Sequence, residues 1–201
     1  MFVTVEGLDG SGTTTLVESI TEEYPGAVTT SEPSDLEYGQ LVRRNLSDDE
    51  SDPLVDFYLF MADRRDHIQQ RVKPADESGK LVVSDRYADS TRAYQPVALV
   101  GEDKPFDSTW QAKIFIEETF AHWNYEPDVT LYIDISVDTA LERADCDEKY
   151  EKRQFLEQVK DNYDALADSY ERIIRIDGEQ SKEEVRWSAL AKLDVVAPDR
   201  L

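Results

Sequence analysis

The residues with the plainest chemistry lie near the start of the chain, in Gly7-Leu8-Asp9-Gly10-Ser11-Gly12-Thr13-Thr14-Thr15. Gly7 and Gly12 have the spacing of the phosphate-binding pattern G-x-x-x-x-G-K-[ST]. Glycines let successive backbone N–H groups turn inward around phosphate oxygens, and a helix starting at Thr13 adds its positive N-terminal end. Thr14 holds the hydroxyl position that would ligand Mg²⁺. Thr13 stands where the pattern has lysine, so one hydroxyl replaces a positive charge. Loss of one preorganised donor to a transferring group typically costs ~10²–10³-fold in rate. Turnover therefore calls for cations from elsewhere, and Arg86, Arg143, Lys149, Lys152 and Arg153 are the candidates.

A second cluster is Asp85-Arg86-Tyr87, directly after an apolar run. An acid there can hold Mg²⁺ through water, and an arginine can clamp a phosphate bidentately. The same pair also suits a purely structural ion pair, and the residues alone leave both open. Glu6 and Asp9 read as two carboxylates at the mouth of the glycine loop.

The elements that must position these groups follow from periodicity. Phe2–Glu6 predicts a strand, Gly7–Gly12 a tight loop and Thr13–Glu23 a helix. Ala27–Thr30 is a short strand and Gln40–Leu46 a short helix. Pro53 opens a long helix reaching about Val72. Leu81–Ser84 is a buried-type strand ending at Asp85. Helices follow around Ser90–Val100 and Thr109–Trp123. Val129–Ile135 is a strand and Val137–Arg143 a helix, and a charged stretch runs to Arg153. A helix through Leu156 and Tyr170, a strand over Ile173–Ile176 and a helix over Lys182–Leu193 complete the chain. Alternating strands and helices imply a three-layer α/β sandwich, a mainly parallel five-stranded sheet covered on both faces. Ligands in such sheets bind beyond the carboxyl ends of the strands, where the charged motifs should converge.

The chain has 201 residues, which suits one compact domain over 1–201. It carries 44 acidic against 22 basic residues, a net charge of -22. The acids are dispersed, so they read as a solvated surface of the kind found in halophilic proteins, and they exclude a nonspecific nucleic-acid binder. No apolar run is long enough to span a membrane. Residues 1–5 lack the regions of a signal peptide, and the lone Cys146 fits a reducing cytoplasm. His67 and His122 have no metal-ligand spacing and read as structural or surface residues.

Taken together, these segments resemble the thymidylate kinase family of P-loop nucleoside monophosphate kinases. Glu6–Gly12 is similar to its phosphate loop, and Ser31-Glu32-Pro33 to its Arg-Glu-Pro element with serine for arginine. Phe57–Arg64 is similar to its thymine-binding helix. Asp85-Arg86-Tyr87-Ala88-Asp89-Ser90-Thr91-Arg92-Ala93-Tyr94-Gln95 is similar to its D-R-Y-x-x-S-x-x-A-Y-Q signature. Pro127–Asp134 and Ala140–Arg143 match the strand and helix before its lid. The resemblance covers nearly the whole chain.

That resemblance implies transfer of the γ-phosphate of ATP to dTMP with Mg²⁺ on Thr14 and Asp85. It implies ATP on Gly7, Asp9, Gly10, Ser11, Gly12, Thr13, Thr14 and Thr15. Phe60 would stack on thymine, Arg64 would bond its carbonyl edge, and Thr91 and Gln95 would face the base. Tyr94 would pack beneath the deoxyribose, Asp9 would approach the sugar 3′-hydroxyl, and Arg86 would bind the acceptor phosphate. The acceptor region would cover about 31–75 and 85–95, and a lid about 143–153 would bring Arg143 and Arg153. The family's habit implies a homodimer. Another pyrimidine nucleoside or nucleotide kinase, or a nucleotide-binding relic weakened by Thr13, are the competing readings.

Overall fold

The computed structural model describes residues 1–47, 51–143 and 149–196. Its centre is a five-stranded sheet in the order β2-β3-β1-β4-β5, with every neighbouring pair parallel. The strands are β1 (Phe2–Gly7), β2 (Val28–Ser31), β3 (Val82–Asp85), β4 (Val129–Asp134) and β5 (Ile173–Asp177). β1 is buried at every residue, as a central parallel strand covered on both faces must be.

The helices are α1 (Thr13–Glu23), α2 (Glu37–Leu46), α3 (Pro53–His67), α4 (Lys73–Glu77), α5 (Ala88–Ala98), α6 (Thr109–Phe120), α7 (Val137–Arg143), α8 (Lys149–Ser169) and α9 (Lys182–Val196). Side chains alternate across β1. Val3 and Val5 pack with Leu16 and Ile20 of α1 and Leu190 and Leu193 of α9. Phe2 joins Phe57 and Met61 of α3 and Ile116 and Phe120 of α6 in a second cluster. Each such side chain contributes roughly 1.5–3 kcal/mol when fully buried.

Most expected elements are present, with shifted ends. α2 starts three residues before the expected Gln40, and α5 two before the expected Ser90. α3 begins as read: Pro53 occupies the first turn, and Asp52 caps it by accepting from the N–H groups of Leu54 and Val55 at 2.8 and 3.2 Å. Its end differs. The helix passes through a π-turn at Ile68–Val72 into α4. Pro74 supplies the reason, since its ring and missing N–H cannot continue an ordinary ladder, and the wider turn accommodates both.

The register places Val5 beside Asp85 on β3, and Gly7 beside Ile133 on β4. The phosphate loop therefore leaves the sheet between two neighbours that both end beside it.

Candidate active site

Gly12 caps α1 at φ 96°, a left-handed conformation that glycine adopts without penalty. No side chain caps this helix, so its first N–H groups face the loop interior. Gly7 is required for a different reason: a Cβ there would lie 2.4 Å from Ser11 Oγ and 2.9 Å from the Ile133 carbonyl. Thr14 and Thr15 are exposed at the loop, and Thr13 is mostly buried.

Thr14 Oγ1 donates to Asp85 Oδ2 at 2.6 Å, and Asp85 Oδ1 is buried with no partner. An oxygen-only pair with an unused carboxylate oxygen fits a hard cation such as Mg²⁺.

Arg86 has φ 65°, a conformation costing a non-glycine residue on the order of 1–3 kcal/mol. Ser84 Oγ donates to its carbonyl at 2.7 Å and fixes the turn. Its guanidinium donates to the Gly7 carbonyl at 3.0 Å, Ser90 Oγ at 3.2 Å and Asp9 Oδ1 at 2.8 Å, and it lies over the Tyr94 ring. Burial opposes the charge, but Tyr94, Tyr163, Asp9 and Glu6 outweigh it and hold Arg86 protonated. The Tyr94 hydroxyl accepts from the Asp9 N–H at 3.1 Å, and burial raises its pKa to about 12. Arg86, Asp9 and Tyr94 are thus joined in one cluster.

A cavity of about 480 Å³ opens beside them, lined among others by Phe60, Arg64, Thr91, Tyr94, Gln95 and Arg86. Arg64 is the largest fully buried side chain. Its Nε and Nη2 donate to Glu32 Oε2 at 2.9 and 2.6 Å, and Nη2 also donates to Thr91 Oγ1 at 2.8 Å. Burial alone would raise the Glu32 pKa, but Arg64 and His67 overcome it and hold the carboxyl below its usual range. Arg64 Nη1 and Gln95 Oε1 are buried without partners. One is a donor and the other an acceptor.

A smaller cavity of about 380 Å³ joins Thr13, Thr14, Asp85, Arg86, Ser31 and Arg43. Arg43 lines it together with Thr13 and donates to the carbonyls of Pro33 and Ser34. A third, of about 310 Å³, runs from Gly10 and Gly12 past Arg143 to Gly178 and Lys182. Arg143 Nη1 donates to the Gly10 carbonyl at 3.1 Å.

Arg153 is not brought to the phosphate loop. It lies in the first turns of α8, where a charged loop was expected, and donates to Asp138 Oδ1 at 2.6 Å. Residues 144–148 of the expected lid, including Cys146, lie outside the described residues. Glu6 also departs from expectation: it is wholly buried beneath the loop, not at its mouth. Its Oε2 accepts from Ser90 Oγ at 2.5 Å and Tyr163 Oη at 3.1 Å. Burial and the nearby Asp89 push its pKa up to about 7.

The roles of Glu32, His67, Ser90 and Tyr163 escape sequence reasoning. His67 is buried between Glu32 Oε1 at 3.1 Å and Thr30 Oγ1 at 2.5 Å. Glu32 and Ser90 stood within the family-like segments without a role, and Tyr163 showed only as an inward position of a helix with steps of three and four.

Known proteins agree with this geometry. The family model described as thymidylate kinase matches residues 5–188. A probable thymidylate kinase of Halobacterium salinarum is 43% identical over 99% of this chain and 98% of its own. One from Halorubrum lacusprofundi is 41% identical over 92% of this chain and 93% of its own. The crystal structure of thymidylate kinase from Ehrlichia chaffeensis superposes with a TM-score of 0.73 at 27% identity, covering 96% of this chain and 98% of that one. The archaeal relatives are halophiles, in keeping with the acidic composition. The family model over most of the chain and the relatives matched over nearly their full length show that the chain belongs to the thymidylate kinase family.

Proposed function

We propose that this chain transfers the γ-phosphoryl group of ATP to dTMP, giving ADP and dTDP. The observation that carries the reading is the acceptor wall. Arg64 and Gln95 line one cavity with Asp9 and Arg86 beside the phosphate loop, and Arg64 Nη1 and Gln95 Oε1 have no partner within the protein. A thymine presents a carbonyl to the first and an N–H to the second; cytosine reverses both. Phe60 supplies an aromatic face for the ring, and Tyr94 a platform for the sugar.

An oxygen of the dTMP phosphate is itself the nucleophile. It forms a bond to the γ-phosphorus as the bond to the β,γ-bridging oxygen breaks and ADP leaves. Positioning and charge neutralisation do most of the catalytic work. The Gly7–Thr15 loop holds the donor phosphates through its backbone N–H groups. Arg86 bridges acceptor and transferring phosphates, and Arg143 lines the donor cavity. Thr14 and Asp85 would hold Mg²⁺, which neutralises charge on the β- and γ-phosphates when bound. Arg43 lines the phosphate cavity with Thr13 and, together with Arg86, stands in for the missing positive groups.

We also read the protein as a cytoplasmic homodimer. No described helix is long and apolar enough to cross a membrane. Val55 and Tyr58 of α3 and Trp110 and Ile114 of α6 are exposed apolar side chains, and Tyr58 meets Phe115 of α6, so these two helices offer apolar surface to a second copy.

The experiment is product formation from ATP·Mg²⁺ with dTMP, dUMP, ribothymidine monophosphate, CMP and UMP in molar KCl. Selective dTDP formation supports the reading. Efficient CMP turnover would show that the base wall is misread. Thr13 favours a relic that binds without turnover, and tight dTMP binding with no product would be its signature.

A further inference from the structure

We infer that Glu6 is a positioning residue that sets Arg86 through the Ser90 hydroxyl. The inference rests on Arg86 acting as the phosphate clamp.

Glu6 precedes Gly7 on β1, and its side chain faces α5 and α8. Ser90 Oγ lies 2.5 Å from Glu6 Oε2, 3.2 Å from Arg86 Nη1 and 3.0 Å from Tyr163 Oη. A serine hydroxyl has one proton, and an ionised carboxylate only accepts. Glu6 therefore fixes the direction of the chain: Ser90 donates to Glu6, and its lone pairs face the guanidinium. A neutral group at position 6 releases that constraint. Ser90 can then turn its proton toward Arg86 Nη1, which can only donate, and the contact is lost.

A carboxyl needed only for packing would be a poor choice here. Glu6 is fully buried, and its Oε1 has no partner. Burying a charge without full compensation is costly. The charged and titratable groups facing it are Asp89 of α5, Arg86 at the turn before α5 and Tyr163 of α8. Tyr94 acts on the same group of side chains through Arg86 and Tyr163. Asp89 opposes the charge of Glu6, and Arg86 favours it.

The test is steady-state kinetics of Glu6→Gln, Ser90→Ala, their double variant and Arg86→Ala, in molar KCl from about pH 5.5 to 9. Glu6→Gln and Ser90→Ala are each expected to lower kcat/KM for dTMP roughly tenfold, the scale of one hydrogen bond to a charged group. The KM for ATP should stay near wild type. The double variant should be no worse than the worse single, because both break one link. The wild-type profile should fall on the acid side near neutrality, and Glu6→Gln should lack that limb. Wild-type kcat/KM in Glu6→Gln, or losses that add in the double variant, overturn the inference. An unaffected Arg86→Ala overturns the clamp and the inference together, whereas a crippled Arg86→Ala beside a normal Glu6→Gln overturns the inference alone. If Glu6→Gln does not fold, Ser90→Ala decides by the same criteria.

Discussion

Arg64 binds Glu32 through two of its nitrogens, at 2.9 and 2.6 Å, and keeps the third buried and free for a ligand. The ion pair thus fixes the guanidinium of a residue that lines the acceptor cavity. Glu32 is in turn gripped by His67, and the loop carrying it is held by the Ser34 N–H donating to Asp63 Oδ2 at 2.8 Å.

Glu32→Gln should therefore damage stability and dTMP binding together. Removing one partner of a buried pair typically costs about 3–5 kcal/mol. The folded-state pKa of Glu32 is lowered, so its contribution is complete above its unfolded value of 4.5 and is lost as pH falls through the folded one. Denaturant unfolding in molar KCl should show a wild-type advantage at pH 7 that shrinks below pH 4.5. An advantage that does not change with pH would show that Glu32 acts by packing alone.

Much of the site is legible in the sequence because local chemistry fixes it. The Gly7–Gly12 spacing implies the loop, and Pro53 after Asp52 marks the start of α3. The Asp85–Gln95 block resembles the family signature, and the structure brings Asp9, Arg86 and Tyr94 together. What was not legible depends on partners distant in sequence. Glu6 reads as a loop-mouth acid because nothing nearby announces Tyr163, which lies on α8. Arg153 reads as a lid cation because the family resemblance places a lid over 143–153, yet it lies in the first turns of α8 against Asp138. The π-turn before Pro74 is hidden for another reason: the apolar spacing of Ile68 and Val72 suits an ordinary helix as well.

Arg86→Ala should lower kcat at least ~10²-fold, the usual scale for removing a preorganised donor to a reacting group. The strained turn at Arg86 and its three acceptors hold the guanidinium beside the loop before any substrate binds. Rapid-quench measurement of dTDP formation isolates this step. A near-normal rate would remove Arg86 from the phosphate-clamp role.

Thr13→Lys should raise the rate. The cavity shared by Thr13, Arg43 and Arg86 has about 380 Å³ of space, so an ammonium can extend toward the donor phosphates. A gain of roughly tenfold or more in kcat is expected if the missing charge limits turnover. An unchanged kcat, with the variant folded and binding ATP, would show that Arg43 and Arg86 already supply the charge.

Arg143 and Arg153 should separate cleanly. Arg143 lines the donor cavity and contacts the loop carbonyl of Gly10. Arg143→Ala should therefore raise the KM for ATP by about tenfold, the loss expected when a charged contact to phosphate goes. Arg153 makes an exposed pair with Asp138, whose side chain is 74% accessible. Such pairs contribute ~0–1 kcal/mol, so Arg153→Ala should alter kcat and the KM for ATP by less than about threefold. A large kcat loss in Arg153→Ala would show that α8 carries this arginine to the phosphates once both nucleotides are bound, restoring the lid role its position in the sequence suggested.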